Sequence, residues 1–136
     1  MTNYVVRHSE IEPELNQLAS QIIGAAIEVH KALGPGLPES VYKFAMCVEL
    51  GLLNIVFDKE FHIPVTYRGV SVGEGFIDLW IAKQIVVELK SVSALLPVHE
   101  AQLVSHLKLT SCKLGLLINF NVQVLRLGIR RVINSK

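Results

Sequence analysis

Asp78, Glu88 and Lys90 are the residues of this 136-residue chain whose types and spacing best combine into chemistry. Residues 76–81 (Phe-Ile-Asp-Leu-Trp-Ile) and 85–90 (Ile-Val-Val-Glu-Leu-Lys) read as two strands of a hairpin around Ala82-Lys83-Gln84. Side chains alternate faces along a strand, so Glu88 and Lys90 share a face and Leu89 points away. With a three-residue loop, Ile81 pairs with Ile85, and Asp78 falls opposite Glu88 on that same face. With a two-residue loop, Asp78 falls opposite Leu89 and the three residues do not converge. The three-residue loop is the expectation. Two carboxylates and an ammonium then meet on one patch. Hard divalent cations such as Mg²⁺ take oxygen ligands and keep several waters, so two carboxylates suffice as the protein's share, and the Leu89 carbonyl offers a third oxygen. Acids that face each other repel, and a bound cation relieves that repulsion. Lys90 is placed to orient or help deprotonate a water, or to stabilise charge on a phosphoryl oxygen. The plainer alternative is a partly solvated ion-pair cluster of little energetic worth. The strand context weighs against it: residues 85–90 are strongly apolar until two charges end them, and a buried strand carries charges only at a frayed end or for a purpose.

The elements that must position these residues are legible from period and punctuation. Leu15, Leu18, Ala19, Ile22, Ile23, Ala26, Val29 and Leu33 recur at helical spacing, predicting an amphipathic helix from about Pro13. Gly34-Pro35-Gly36 stops it. A second helix is predicted from Pro38-Glu39 to about Leu50, ended by Gly51. Val56 to Tyr67 is rich in aromatic and β-branched residues and reads as a strand, with Pro64 constraining its pairing. Arg68-Gly69 reads as a turn, and so does Gly73-Glu74-Gly75. After the hairpin, the helical period returns from Pro97 to Thr110. Leu114 to Phe120 reads as a short buried strand, and Val122 to Ile133 as holding at least one more. The predicted order, ααβββαβ(β), is that of one α/β domain over residues 1–136 with a mixed sheet flanked by helices, residues 1–10 being a flexible start.

Composition narrows the function classes. About half the residues are apolar and 18% are charged, which argues against intrinsic disorder. No apolar run approaches the roughly 18 to 20 residues of a membrane span. The opening residues lack the apolar core and cleavage site of a signal peptide. The two cysteines, Cys47 and Cys112, have no metal-ligand spacing and are expected reduced, in or near the core. A soluble, cytoplasmic protein is the expectation. The formal charge of +1 is small for a nucleic-acid binder that relies on many phosphate contacts. Arg126, Arg130, Arg131 and Lys136 form one candidate basic patch, and a solvated face is the plainer account of them. The histidines His8, His30, His62 and His99 are scattered, which speaks against zinc. No Walker loop, Gly-x-Gly-x-x-Gly run or Gly-x-Ser-x-Gly elbow occurs.

The order of helices, a hairpin carrying Asp and Glu-x-Lys, and a following helix resembles the PD-(D/E)xK nuclease superfamily, with its restriction-endonuclease-like core. Within it the chain is most similar to the GxxExxY family, whose signature stands here as Gly36-Leu37-Pro38-Glu39-Ser40-Val41-Tyr42. The likeness runs from about Ile22 to Val132 and includes residues 85–90, 97–103 and 115–120. It implies a metal-dependent phosphodiesterase ancestry, Mg²⁺ or Mn²⁺ as cofactor, and a site of Asp78, Glu88 and Lys90. It also implies Glu39 as an accessory carboxylate and Gln102 as the glutamine kept beside the site by many relatives. On the residues themselves, Glu39 and Tyr42 share a helix face, as do Gln102 and His106. Glu39 reads equally well as an acid favoured by a helix N-terminus, and Tyr42 as a packing residue with a hydrogen-bonded hydroxyl. The chain departs from the family pattern at His106, where relatives carry Tyr, and at Ser111 or Cys112, where they carry Gly. It also has one residue between Phe76 and Asp78 where they have two. His106 reads as a helix-face histidine, with acid–base work as the alternative.

Three functions follow as expectations. The first is a metal-dependent nuclease acting on DNA or RNA. The second is a catalytically inactive module of the same fold that binds nucleic acid or protein. The third is an interaction domain that self-associates into a homo-oligomer through its apolar surface.

Overall fold

Pro13 opens the first helix, where its missing N–H has no intrahelical partner to lose. This helix, α1 (Pro13–Leu33), buries Leu15, Ala19, Ile22, Ala25, Ala26 and Val29 along one face. It ends at Gly34, which takes φ 69° and donates its N–H to the His30 carbonyl. The computed structural model describes residues 11–134. The expected flexible start at residues 1–10, and Lys136 of the candidate basic patch, lie outside the described residues.

The second helix, α2 (Glu39–Leu52), runs two residues beyond the expected end. Gly51 lies in its last turn, where glycine costs about 1 kcal/mol but does not break a helix held by packing. The turn is made instead at Asn54, φ 58°, asparagine being one of the few residues that visit the left-handed region. Strands β1 (Phe57–Tyr67) and β2 (Val70–Ile81) follow, joined by the expected two-residue turn at Arg68-Gly69. β2 begins six residues earlier than the sequence suggested. Gly73-Glu74-Gly75 is strand, not turn, because Val65, Pro64 and Ile63 of β1 pair with it. The irregularity those glycines advertise is absorbed by a register shift between Val65 and Thr66. Gly75 also lies under the third helix: a Cβ there would sit 3.2 Å from Leu109 Cδ1 and 3.4 Å from His106 Cδ2.

Strand β3 (Ile85–Lys90), helix α3 (Pro97–Thr110) and strand β4 (Leu114–Asn119) form a parallel crossover, and β5 (Ile129–Ile133) closes the sheet after a single 3-10 turn. The sheet order is β1-β2-β3-β4-β5, with β3 and β4 parallel and the other neighbours antiparallel. A parallel pair needs a long crossover, and α3 supplies it. Pro64 is accommodated because β1 is an edge strand. Among the described residues no helix is long and apolar enough to cross a membrane.

Helices cover both sides of this sheet. On one side α1 and α2 pack over Leu79, Ile81, Ile85, Val87, Leu89, Leu116 and Phe120. On the other, Leu103, Val104 and Leu107 of α3 pack over Ile63, Ile77, Val86 and Leu117. β3 alternates as a regular strand should. β2 does not: Leu79 and Ile81 face α1 and α2, whereas Ile77 faces α3. The change of face happens across Asp78, and its neighbour on β1, Glu60, has a left-handed φ of 54°. The fold thus puts a change of face at the residue singled out for chemistry.

Two residues of the candidate basic patch, Arg130 and Arg131, are separated, in keeping with the plainer account of these charges. Arg130 and Arg131 are consecutive on β5 and so point to opposite faces. Arg130 lies 3.8 Å from Glu100, and Arg131 bonds Asn16 on α1.

Candidate active site

The hairpin register is the expected one: Ile81 pairs with Ile85, Trp80 with Val86 and Leu79 with Val87. The ladder ends there, one rung before Asp78 would meet Glu88. Beyond it the Leu89 N–H is taken by the Asp78 carboxylate, Oδ2 at 2.8 Å. Asp78 therefore sits in the notch where β2 leaves β3, its side chain filling in for the next rung. Both acids are buried, Asp78 5% and Glu88 6% exposed. Lys90, two residues past Glu88 on the same face of β3, is half-buried.

Glu39 stands at the first position of α2. Tyr42 fixes the loop before it: the hydroxyl donates to the Gly34 carbonyl and accepts from the Leu37 N–H, and the ring stacks on Phe120 at 4.4 Å. The expected packing role of Tyr42 is the observed one. The Ser91 hydroxyl, just past β3, donates to the Leu37 carbonyl at 2.6 Å and ties that loop to the end of the strand. These bonds hold Glu39 close enough to interact with Asp78, Lys90 and Lys43. Burial, and next the charge of Asp78, push its carboxyl above the ordinary value, while Lys90 and Lys43 pull the other way. Gln102 is exposed on α3, one turn before His106.

Two partners of the acids escaped the sequence reading. Lys43 is buried, with Nζ 3.5 Å from Asp78 Oδ1 and 3.1 Å from Glu60 Oε2. Burial is the largest single influence on it and lowers its pKa, but the bonds and charges of Glu60 and Asp78 together raise it. The signal was available: Lys43 interrupts the buried stripe of α2 formed by Tyr42, Met46 and Leu50. His106 is the other. Its Nδ1 lies 2.6 Å from Glu88 Oε2, so this histidine is a partner of the acid and not merely a polar residue of the helix face. Burial pushes the Glu88 carboxyl up, the His106 bond and charge oppose this, and Asp78 adds to the rise.

In donor chemistry these residues fit a hard divalent cation. Asp78 and Glu88 are buried acids whose charges disfavour each other, and a carboxylate oxygen with one hydrogen bond retains a lone pair for a metal. Among the described residues no group of three or more His, Cys, Asp or Glu side chains is gathered for a metal. Water would have to complete the coordination, as Mg²⁺ favours.

A five-stranded mixed sheet with helices on both faces, and an acid pair at the point where its hairpin parts, defines a nuclease-like α/β domain. A family model described as the PD-(D/E)XK nuclease superfamily matches residues 16–132, and the chain belongs to that superfamily. Comparison with curated proteins and with solved structures gave no significant match.

Proposed function

We propose that this chain is a metal-dependent nuclease of the GxxExxY kind, hydrolysing phosphodiesters of DNA or RNA. The observation that carries the reading is the burial of two acids, Asp78 and Glu88, near enough to feel each other's charge where β2 parts from β3, with Lys90 on the Glu88 face of β3. Asp78, Glu88 and the Leu89 carbonyl would hold Mg²⁺ or Mn²⁺. When bound, the cation supplies Lewis-acid polarisation of the phosphate and a more acidic water. Lys90 carries a positive charge to the phosphoryl oxygens and orients the attacking water. Lys43, through Asp78, holds one acid in place. His106 does the same for Glu88 and keeps an acid–base group at the rim. Glu39 is an accessory carboxylate whose raised pKa leaves it readier to carry a proton, and Gln102 lies on the solvent side, where it can meet the substrate backbone.

A second reading, an inactive module of the same fold that binds nucleic acid or protein, is favoured by one observation. Lys43 and His106 already bond the two acids, taking positions that a cation's ligands would otherwise leave open. Cleavage separates the readings. Purified protein is incubated with single-stranded, duplex and branched DNA and RNA, with Mg²⁺, Mn²⁺ or EDTA, beside Lys90→Ala. Metal-dependent cleavage that falls by at least about a hundredfold in Lys90→Ala is expected. Cleavage absent from every substrate, with binding retained, selects the inactive module.

A further inference from the structure

Phe76 is the residue near this site that packing does not explain. Its neighbours in β2, Gly75 and Ile77, face α3, so Phe76 points to the opposite side of the strand. There it remains 41% exposed. Its surroundings are polar: Lys43 Nζ lies 5.6 Å from the ring centroid, and the His62 ring meets it in a T-shaped contact at 5.0 Å. His62 is cross-strand to Phe76 and is itself held by Glu74, 3.0 Å away. The same Lys43 ammonium is 3.5 Å from Asp78 Oδ1. An open aromatic ring is thus joined through one lysine to an acid of the candidate site.

We propose that Phe76 is a base-stacking platform, and that the site takes an unpaired nucleic-acid strand. The proposal rests on the nuclease reading above and deepens it by naming the substrate class. Two observations and one physical constraint point to this occupant. A ring two residues from Asp78 lies within a nucleotide's reach of the acids. A net charge of +1 gives little overall attraction for phosphates, and stacking on an aromatic ring is a source of affinity that needs no charge. A base can lie on a ring only when its own stack is open, which selects single strands, flaps and bulges over duplex. His62 and Lys43, themselves held by carboxylates, fix the ring's orientation.

The test uses the full chain in EDTA, so that cleavage does not intrude. Fluorescein-labelled 12-nucleotide DNA and RNA, as single strands and as matched duplexes, are titrated against wild type, Phe76→Ala, Phe76→Leu and Phe76→Trp. Thermal melts establish that each variant is folded. Phe76→Ala and Phe76→Leu are expected to lower the ratio of single-strand to duplex affinity roughly tenfold or more. Phe76→Trp is expected to keep that ratio and to show quenching of its added tryptophan by single strands beyond that of Trp80 in wild type. A leucine variant that binds single strands like wild type overturns the proposal, because apolar cover then suffices. So does an unchanged ratio in Phe76→Ala, or self-association through this face that Phe76→Ala abolishes. Failure of the nuclease reading looks different: the ratio shifts as expected, yet no substrate is cut with Mn²⁺. Cleavage that needs Lys90 but ignores Phe76 leaves the nuclease and removes the platform.

Discussion

The centre of the sheet and the hairpin at its side obey different rules. All of β4 and five of the six residues of β3 are buried, the sixth being Lys90. β1 and the first half of β2 are largely exposed. Both regions are well-paired strands, so hydrogen bonding does not distinguish them. Cover does. β3 and β4 carry helices on both faces, as parallel strands require, whereas the hairpin is covered only near its base and on the α3 side. Asp78 lies where β2 passes from the open half to the buried half. At such a boundary a carboxylate can be largely dry and still lie close enough to solvent to meet a substrate.

Truncation tests this contrast most strongly. Leu89→Ala removes a fully buried side chain from the central strand and is expected to cost about 2–5 kcal/mol. Val72→Ala on the exposed hairpin, 59% exposed, is expected to change stability by less than about 0.5 kcal/mol. Chemical denaturation of both checks it, and equal costs would dissolve the distinction between the regions.

Glu88 sharpens it at the boundary. Its folded pKa is raised above the ordinary value near 4.5, chiefly by burial. The folded state therefore keeps the proton longer than the unfolded chain. The associated stability is whole below about pH 4.5 and is lost as pH rises through the raised folded pKa. Each unit of displacement corresponds to about 1.4 kcal/mol. Glu88→Gln cannot ionise and so escapes this loss, although it gives up the charged bond to His106. Its stability is expected to be flatter across that window and, without cation, at least equal to wild type above it. Mn²⁺ at a hundredfold excess over its dissociation constant is expected to stabilise wild type by about 2.7 kcal/mol and the variant by much less. Melts at several pH values, with and without Mn²⁺, report all three. A variant that is less stable at neutral pH, with no cation effect on wild type, makes Glu88 a structural partner of His106 and nothing more.

The smallest effect concerns the end of α3. Ser111 caps that helix at φ 58°, ψ 27°, a conformation costing an L-residue about 1 kcal/mol that glycine does not incur. Ser111→Gly is expected to gain no more than about 0.6 kcal/mol, after the entropy of the unfolded chain is counted. A thermal melt resolves it, and a loss would mean that the serine side chain contributes bonds of its own.

Much of this structure was legible because much of it is local. The helical period of α1 and its stop at Gly34 need only neighbouring residues, whereas the three-residue loop that sets Ile81 against Ile85 was one of two the residues allowed. From that register and strand alternation, the convergence of Glu88 and Lys90 followed. What escaped depended on contacts distant in sequence. Lys43 reaches Asp78 across 35 positions, and no spacing rule joins a helix residue to a strand so far away. His106 was recognised as part of a helix face, but which element that face meets is a tertiary fact. Gly73 and Gly75 signalled a turn by type, and only their partners on β1 reveal a strand.

The bond from Leu89 N–H to Asp78 has a consequence for motion. Past the Leu79–Val87 rung, the long hairpin is joined to β3 by that side chain and not by a continued ladder. Hydrogen exchange at an amide proceeds through openings that break its bond, and these come most readily where cover is thin. The Leu89 amide proton, though it belongs to the buried centre of the sheet, is guarded by the hairpin's hold. Its exchange with solvent deuterium is expected to be faster than that of the β4 amides, whose strand is buried along its whole length.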